Sequence, residues 1–150
     1  MSELKDYQFE LQIVGTGILE SSLKSQVSRL NLNEKVKFLG PRDDIPELLN
    51  LSNCLLLPSL WEAFPIVLLE AAANNIPVIC TPVGSVPSFV SSKDGYLVNL
   101  SQFKEAMIEV LTNYEDALSK SNLLNKKVKS NYSIEKITNL YQKLYQKALE

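Results

Sequence analysis

Glu62 and Glu70 are the residues of this sequence best placed to do chemistry. Ala63-Phe64-Pro65-Ile66 lies between them, and the run from Ile66 to Ala73 reads as a helix. Proline suits a first helical turn, so the helix should begin beside Pro65. A helix start presents unpaired N–H groups and the positive end of the helix dipole, which favour an anion such as a diphosphate. Glu70 falls about one turn inside, where an ionised carboxylate can accept hydrogen bonds from two vicinal hydroxyls, the pair a ribose presents. Glu62, nearer the loop tip, could accept from the hydroxyls of a sugar beyond the phosphates. Spacing alone leaves a plainer alternative open, since two glutamates around a helix start are commonly a capping group and a solvated side chain. Two features weigh against it: Glu70 has Leu68, Leu69, Ala71 and Ala72 around it, and Glu62 has Trp61 and Phe64, which could build a pocket wall.

The chain contains no histidine. That removes the commonest general base, the commonest metal ligand and every Ser-His or Cys-His nucleophile pair. Chemistry here must run on carboxylates, backbone amides and the substrate's own groups. Cys54 and Cys80 sit in apolar runs with no metal or redox spacing, and they read as small buried hydrophobes. The net charge is −2, with no basic stripe of the kind nucleic acid requires, and the lysines near the C-terminus read as a solvated face. No apolar run is long enough to span a bilayer, and the start Met1-Ser2-Glu3-Leu4-Lys5-Asp6 lacks a signal-peptide pattern. A cytoplasmic location is the default expectation.

The surrounding elements must place the two glutamates. Phe9–Val14, Val36–Leu39, Cys54–Leu57, Pro77–Cys80 and Tyr96–Val98 read as strands. Leu19, Leu23, Val27 and Leu30 recur at helical spacing, Asp43 or Asp44 can cap a short helix through Glu47-Leu48-Leu49, and Val86–Val90 suits another short helix. From Ser101 onward the pattern is helical in two or three pieces, with Ser133 capping the last, and Tyr132, Tyr141 and Tyr145 read as packing residues. Strands that alternate with helices predict an α/β fold, a doubly wound, Rossmann-like parallel sheet with a helical C-terminus. Ligands of such a fold sit at the carboxyl ends of the strands, which singles out the loops at 15–18, 40–44, 58–65 and 81–87 and predicts that they line one edge. Gly15-Thr16-Gly17 is not a dinucleotide fingerprint, because Glu20 stands where a third glycine is needed and Gly40, not an acid, ends the second strand. It reads as a tight connection near the phosphates.

The sequence resembles the C-terminal, donor-binding domain of GT-B glycosyltransferases of the group 1 class, also called family 4. The residues that carry the resemblance are Glu62, seven residues, then Glu70, together with Leu11-Gln12-Ile13-Val14-Gly15-Thr16-Gly17, Val36-Lys37-Phe38-Leu39-Gly40, Leu57-Pro58-Ser59 and Pro77-Val78-Ile79-Cys80-Thr81-Pro82-Val83-Gly84. It covers roughly residues 9 to 150. It implies that Glu70 holds the donor ribose and that Glu62, as catalytic residue, contacts and positions the donor sugar near its reacting carbon. Ala63, Phe64, Pro65 and Ile66 would lend backbone amides to sugar and diphosphate, with Gly15 and Gly17 beside the phosphates. Pro41 and Arg42 fall where the family holds the nucleobase, although Arg42 also reads as a surface side chain. The family transfers sugar from a nucleotide-diphosphate sugar, UDP- or GDP-linked, to a glycan or lipid-linked acceptor, with retention and usually without a metal ion or other cofactor. The leaving diphosphate is thought to help deprotonate the acceptor. The full enzyme could associate with a membrane surface.

The sequence departs from the family pattern at several positions. Ala63 stands where the family usually has glycine, Asn75 replaces a common glycine after the helix, and Ser85 and Ser88 replace a common glycine and glutamate. Only about eight residues precede the strand at Phe9, too few for the strand–helix unit that carries a phosphate-neutralising arginine and lysine in the family. The expectation is therefore one domain, residues 1–150, without its first strand–helix unit and without the acceptor-binding domain, that binds donor weakly and does not transfer alone. The competing reading is a non-catalytic nucleotide-sugar-binding or interaction module that needs a partner chain. A phosphorylase is disfavoured, because its cofactor lysine would need an apolar setting that the lysines here lack.

Overall fold

The computed structural model describes Leu4 and residues 6–149. Most of the amino-terminal stretch read for a leader pattern lies outside the described residues. The chain divides into two compact units, Met1–Ile45 and Pro46–Glu150.

In the first unit, strand β1 (Leu11–Val14) is followed by helix α1 (Glu20–Arg29) and strand β2 (Val36–Gly40). The strands pair in parallel, Leu11 opposite Val36 and Ile13 opposite Phe38, with an irregularity between Ile13 and Val14. Gly15 ends β1 at φ +103° and donates its N–H to the Gly40 carbonyl at 2.7 Å. Leu4, Leu32 and Val36 are buried. The apolar row expected on α1 is covered only in part, with Val27 and Leu30 half-buried and Leu23 exposed.

Helix α2 (Ile45–Asn50) leads into the second unit, where strand β3 (Leu55–Leu57), helix α3 (Ile66–Ala73), strand β4 (Val78–Cys80), helix α4 (Val86–Phe89) and strand β5 (Tyr96–Leu97) alternate. These strands are parallel in the order β3-β4-β5, so the described strands form two sheets, β1-β2 and β3-β4-β5. Parallel strands flanked by helices are the predicted α/β architecture. β4 is buried throughout because strands and helices cover it on every side. Around Ile79 and Tyr96 the core is completed by Phe103, Ala106 and Val110 of helix α5 (Phe103–Thr112) and by Ala117 of helix α6 (Tyr114–Asn131). Both cysteines sit here, Cys80 buried and Cys54 half-buried, and burial pushes each thiol up to about 12. They behave as the small apolar residues the sequence suggested.

Helix α7 (Ile134–Ala148) closes the chain, with the Ser133 side chain accepting from the Lys136 N–H at 3.3 Å as the expected cap. Tyr141 and Tyr145 of α7 do not pack into a core. They are 55% and 63% exposed and stack only on each other, 6.1 Å apart, because no other element covers that face of α7 among the described residues.

Candidate functional site

The site is built on the loop from Pro58 to Pro65, between β3 and α3. Three residues of the stretch from Thr81 to Ser85 fix its backbone. From the end of β4, the Thr81 N–H donates to the Leu57 carbonyl at 3.2 Å and the Thr81 hydroxyl to the Ser59 carbonyl at 2.5 Å. From the turn before α4, Ser85 donates both its N–H, at 3.3 Å, and its hydroxyl to the Ala63 carbonyl. Between these, Gly84 (φ +54°) lies directly against the loop, and a Cβ there would sit 1.8 Å from the Glu62 carbonyl oxygen. Only glycine fits that contact.

Aromatic packing secures the far side of the loop. Phe64 lies 6.1 Å from both Phe89 and Tyr132, and Phe89 meets Tyr132 edge-on at 5.3 Å. Phe64 is thus held by ring packing and Trp61 is 84% exposed, and neither lines the cavity described below. Glu62 is half-buried, and its carboxylate accepts from the Ser59 hydroxyl at 2.7 Å. A carboxylate so tethered keeps one orientation and still has lone pairs free for other donors.

Pro65 precedes α3 with extended backbone, φ −74° and ψ 109°, and no side chain caps the amino end of this helix. Its first N–H groups are left without a side-chain acceptor. Leu68, Ala71 and Ala72 hold α3 in the core, while Glu70 is half-buried and pairs with no side chain among the described residues. The carboxyl end of α3 is locked from α6: the Asn125 amide donates to the Ala72 and Ala73 carbonyls at 2.7 and 2.8 Å. The next turn uses Asn75 at φ +58°, the left-handed cap expected there. With both ends of the helix fixed, Glu70 has a fixed position relative to the loop.

At the carboxyl ends of β3, β4 and β5 lies an open cavity of about 250 Å³, lined by Ser59, Leu60, Thr81, Pro82, Val83 and two residues after β5, Asn99 and Leu100. This is where a doubly wound fold takes its ligand. Neither glutamate lines the cavity itself, and Ser59 connects it to Glu62.

Gly15, Gly17, Pro41 and Arg42 belong to the first unit. Gly15 and Gly17 have open space where a side chain would stand. Arg42 is exposed and already engaged: its Nε donates to Asp44 Oδ1 at 2.7 Å and its Nη2 to Oδ2 at 2.5 Å. These hydrogen bonds raise the guanidinium pKa and lower that of Asp44. To meet a nucleobase, Arg42 must leave or share its carboxylate partner. Sequence reasoning did not single out Ser59, Thr81, Gly84 or Ser85 as site residues, and all four hold the Glu62 loop. The visible signal was Pro82-Val83-Gly84-Ser85, a turn directly after a strand end.

Residues 1–130 match the family model described as glycosyl transferases group 1. The chain belongs to this family. The N-acetyl-alpha-D-glucosaminyl L-malate synthase of Bacillus anthracis is 32% identical over 140 residues, covering 91% of this chain and 37% of the relative. The UDP-Gal:alpha-D-GlcNAc-diphosphoundecaprenol alpha-1,3-galactosyltransferase of Escherichia coli is 33% identical over 138 residues, covering 89% of this chain and 35% of the relative. Among solved structures, Anabaena HepE in complex with UDP and glucose superposes with a TM-score of 0.83 at 22% identity, over 92% of this chain and 40% of HepE. The group 1 chain described here therefore spans between a third and two-fifths of these relatives' lengths, and its fold is the one expected for the C-terminal half of a GT-B enzyme.

Proposed function

We propose that this chain is the donor-binding part of a retaining glycosyltransferase that takes a sugar from a nucleotide-diphosphate sugar. The observation that carries the reading is the construction of the loop. A half-buried glutamate is tethered by Ser59 on a backbone that the stretch from Thr81 to Ser85 fixes, beside a helix start with no side-chain cap, with a second glutamate, unpaired among the described residues, one turn further on. The uncapped N–H groups suit the diphosphate. Glu70 suits the vicinal hydroxyls of the ribose, and Glu62 suits the hydroxyls of the transferring sugar. The UDP in the HepE complex and the UDP-Gal donor of the Escherichia coli relative favour a uridine nucleotide.

The acceptor side and the phosphate-neutralising unit belong, in this proposal, to a further part of the enzyme, so the chain alone binds donor weakly and does not transfer.

The test is ligand-observed NMR with UDP, GDP, ADP and their sugars on the native chain and on Glu70→Ala. Saturation transfer to ribose protons is expected with the native chain. Losing about two charge-assisted hydrogen bonds would weaken binding by about 3 kcal/mol, or roughly 100-fold, and extinguish the signal in the variant. Equal ribose signals in both proteins would refute the assignment of Glu70.

A further inference from the structure

We propose that Ser59 is a positioning residue: its hydroxyl fixes the carboxylate of Glu62 in the pose that meets the donor sugar. The inference rests on the reading of Glu62 as the group that meets that sugar. Ser59 Oγ donates to Glu62 Oε1 at 2.7 Å, and among the described residues Glu62 has no other side-chain partner and no ion pair. A glutamate side chain has several rotatable bonds, and on a loop it would otherwise sample several rotamers. The serine is therefore the one side chain that sets where this carboxylate points among the described residues.

The hydroxyl can do this because Ser59 is itself hung from the sheet. Leu57 and Cys80 are the last paired residues of β3 and β4. The two segments stay joined beyond that pair, because the Thr81 N–H reaches the Leu57 carbonyl at 3.2 Å and the Thr81 hydroxyl reaches the Ser59 carbonyl at 2.5 Å. Thr81 is buried, so water does not compete for its hydroxyl. Two hydrogen bonds in series thus carry the position of β4 to the carboxylate, from Thr81 to Ser59 and from Ser59 to Glu62. The main chain of Glu62 and Ala63 is held by other residues, with Gly84 against the Glu62 carbonyl and Ser85 bonded to that of Ala63. Backbone and carboxylate are fixed separately, and removing the Ser59 hydroxyl frees the second while leaving the first in place.

The direction of the bond matters for the chemistry. A serine hydroxyl has a single proton, and Ser59 gives it to Glu62 Oε1. Oε2 and the remaining lone pair of Oε1 are left to accept from the hydroxyls of a sugar. A carboxylate already held in that pose loses less freedom when the sugar arrives. Immobilising one such side chain on binding costs about two- to tenfold in affinity. The effect belongs to the sugar alone, because the proposed contacts to ribose and diphosphate run through Glu70 and the start of α3.

The experiment is an NMR titration of the native chain, Ser59→Ala, Ser59→Thr and Glu62→Ala with UDP, UDP-glucose, UDP-galactose and UDP-N-acetylglucosamine. The readout is the affinity for the best-bound sugar nucleotide divided by that for UDP. Ser59→Ala should lower this ratio about two- to tenfold and leave the affinity for UDP unchanged. Ser59→Thr keeps the hydroxyl and should restore the ratio, and circular dichroism should show all four proteins folded alike. A serine that only braces the loop would weaken UDP and sugar nucleotide together, and a ratio unmoved for that reason would overturn the proposal. If Ser59→Ala keeps the native ratio while Glu62→Ala loses it, the positioning role is wrong and the reading of Glu62 stands. If no sugar nucleotide binds the native chain more tightly than UDP, or Glu62→Ala keeps the preference, the reading of Glu62 falls and the role of Ser59 falls with it.

Discussion

Gly84→Ala should damage the site without touching a group that meets the ligand. The new methyl would start 1.8 Å from the Glu62 carbonyl oxygen, and about 3.0 Å is the closest approach a real Cβ makes, so the loop or the turn must yield by at least about 1.2 Å. A backbone oxygen cannot rotate away as a side chain can. A left-handed φ of +54° adds about 1 kcal/mol for a residue with a Cβ, and the forced repacking adds about 1–2 kcal/mol. For 150 residues the unfolding entropy makes each kcal/mol worth about 3 °C, so the melting temperature should fall by about 6–9 °C. A displacement of this size at a positioning group costs about 100-fold in function, so under the proposed assignment the ribose signal of UDP should persist through Glu70 while the contribution of Glu62 to sugar binding disappears. Gly40→Ala is the control. Its φ is +66°, and nothing stands within 4 Å of the added methyl, so only the conformational cost of about 1 kcal/mol applies. Calorimetry of the two variants, with UDP and UDP-glucose titrations, checks the reasoning. If Gly84→Ala matches Gly40→Ala in stability and in its preference for UDP-glucose over UDP, the contact between Gly84 and the loop does not hold the site.

Two further outcomes follow from the packing. Both thiols lie far above the ordinary cysteine range because of burial, so near pH 8 only about one in ten thousand is a thiolate; iodoacetamide should leave both unlabelled in the native protein and modify both after denaturation, and rapid native labelling, followed by mass spectrometry, would contradict the burial. Asp116 is held below the usual aspartate value of 3.8 chiefly by its hydrogen bond from Lys120. A carboxylate whose folded value is depressed contributes stability above its unfolded value and loses it as pH falls through the folded one, so urea unfolding at a series of acidic pH values should show a decline below about 3.8 that Asp116→Asn flattens.

Sequence periodicity located the elements well where local rules suffice. The helix expected from Ile66 to Ala73 has those bounds, because Pro65 stops the chain before it and Asn74-Asn75 turns it afterwards. Each predicted strand is present within two residues, since a continuous apolar run between turn residues has few other uses in an α/β fold. Pairing was less legible. Nothing local tells a parallel strand which neighbour it will find, so the division into β1-β2 and β3-β4-β5 could not be read from the runs themselves. The exposure of α7 was hidden for a related reason. Spacing says which residues share a face, but not whether another element covers it, and Tyr141 and Tyr145 looked like packing residues on that account. In the site, the glutamates stood out by type. Gly84 and Thr81 did not, because their work is done by a missing Cβ and by a hydroxyl bonded to a main-chain carbonyl, and both contacts join segments about 22 residues apart.

Two departures from the family pattern meet in space, which changes how each should be judged. Ala63 stands where glycine is usual, and so does Ser85; taken singly, the methyl of Ala63 could narrow the proposed sugar pocket. In the fold, the Ser85 hydroxyl donates to the Ala63 carbonyl, beside the N–H of Ser85 that reaches the same oxygen. A glycine at 85 could make only the backbone bond. Replacing it with serine adds a second tie to the loop at the residue whose own conformational freedom the methyl of Ala63 reduces. Both changes act in one direction, toward a stiffer Glu62 loop, and Ala63 itself is exposed rather than wedged into the core. A stiffer loop loses less entropy on binding and adapts less to a different sugar. In the proposed donor site, the paired substitutions would therefore narrow the choice of donor rather than damage the site.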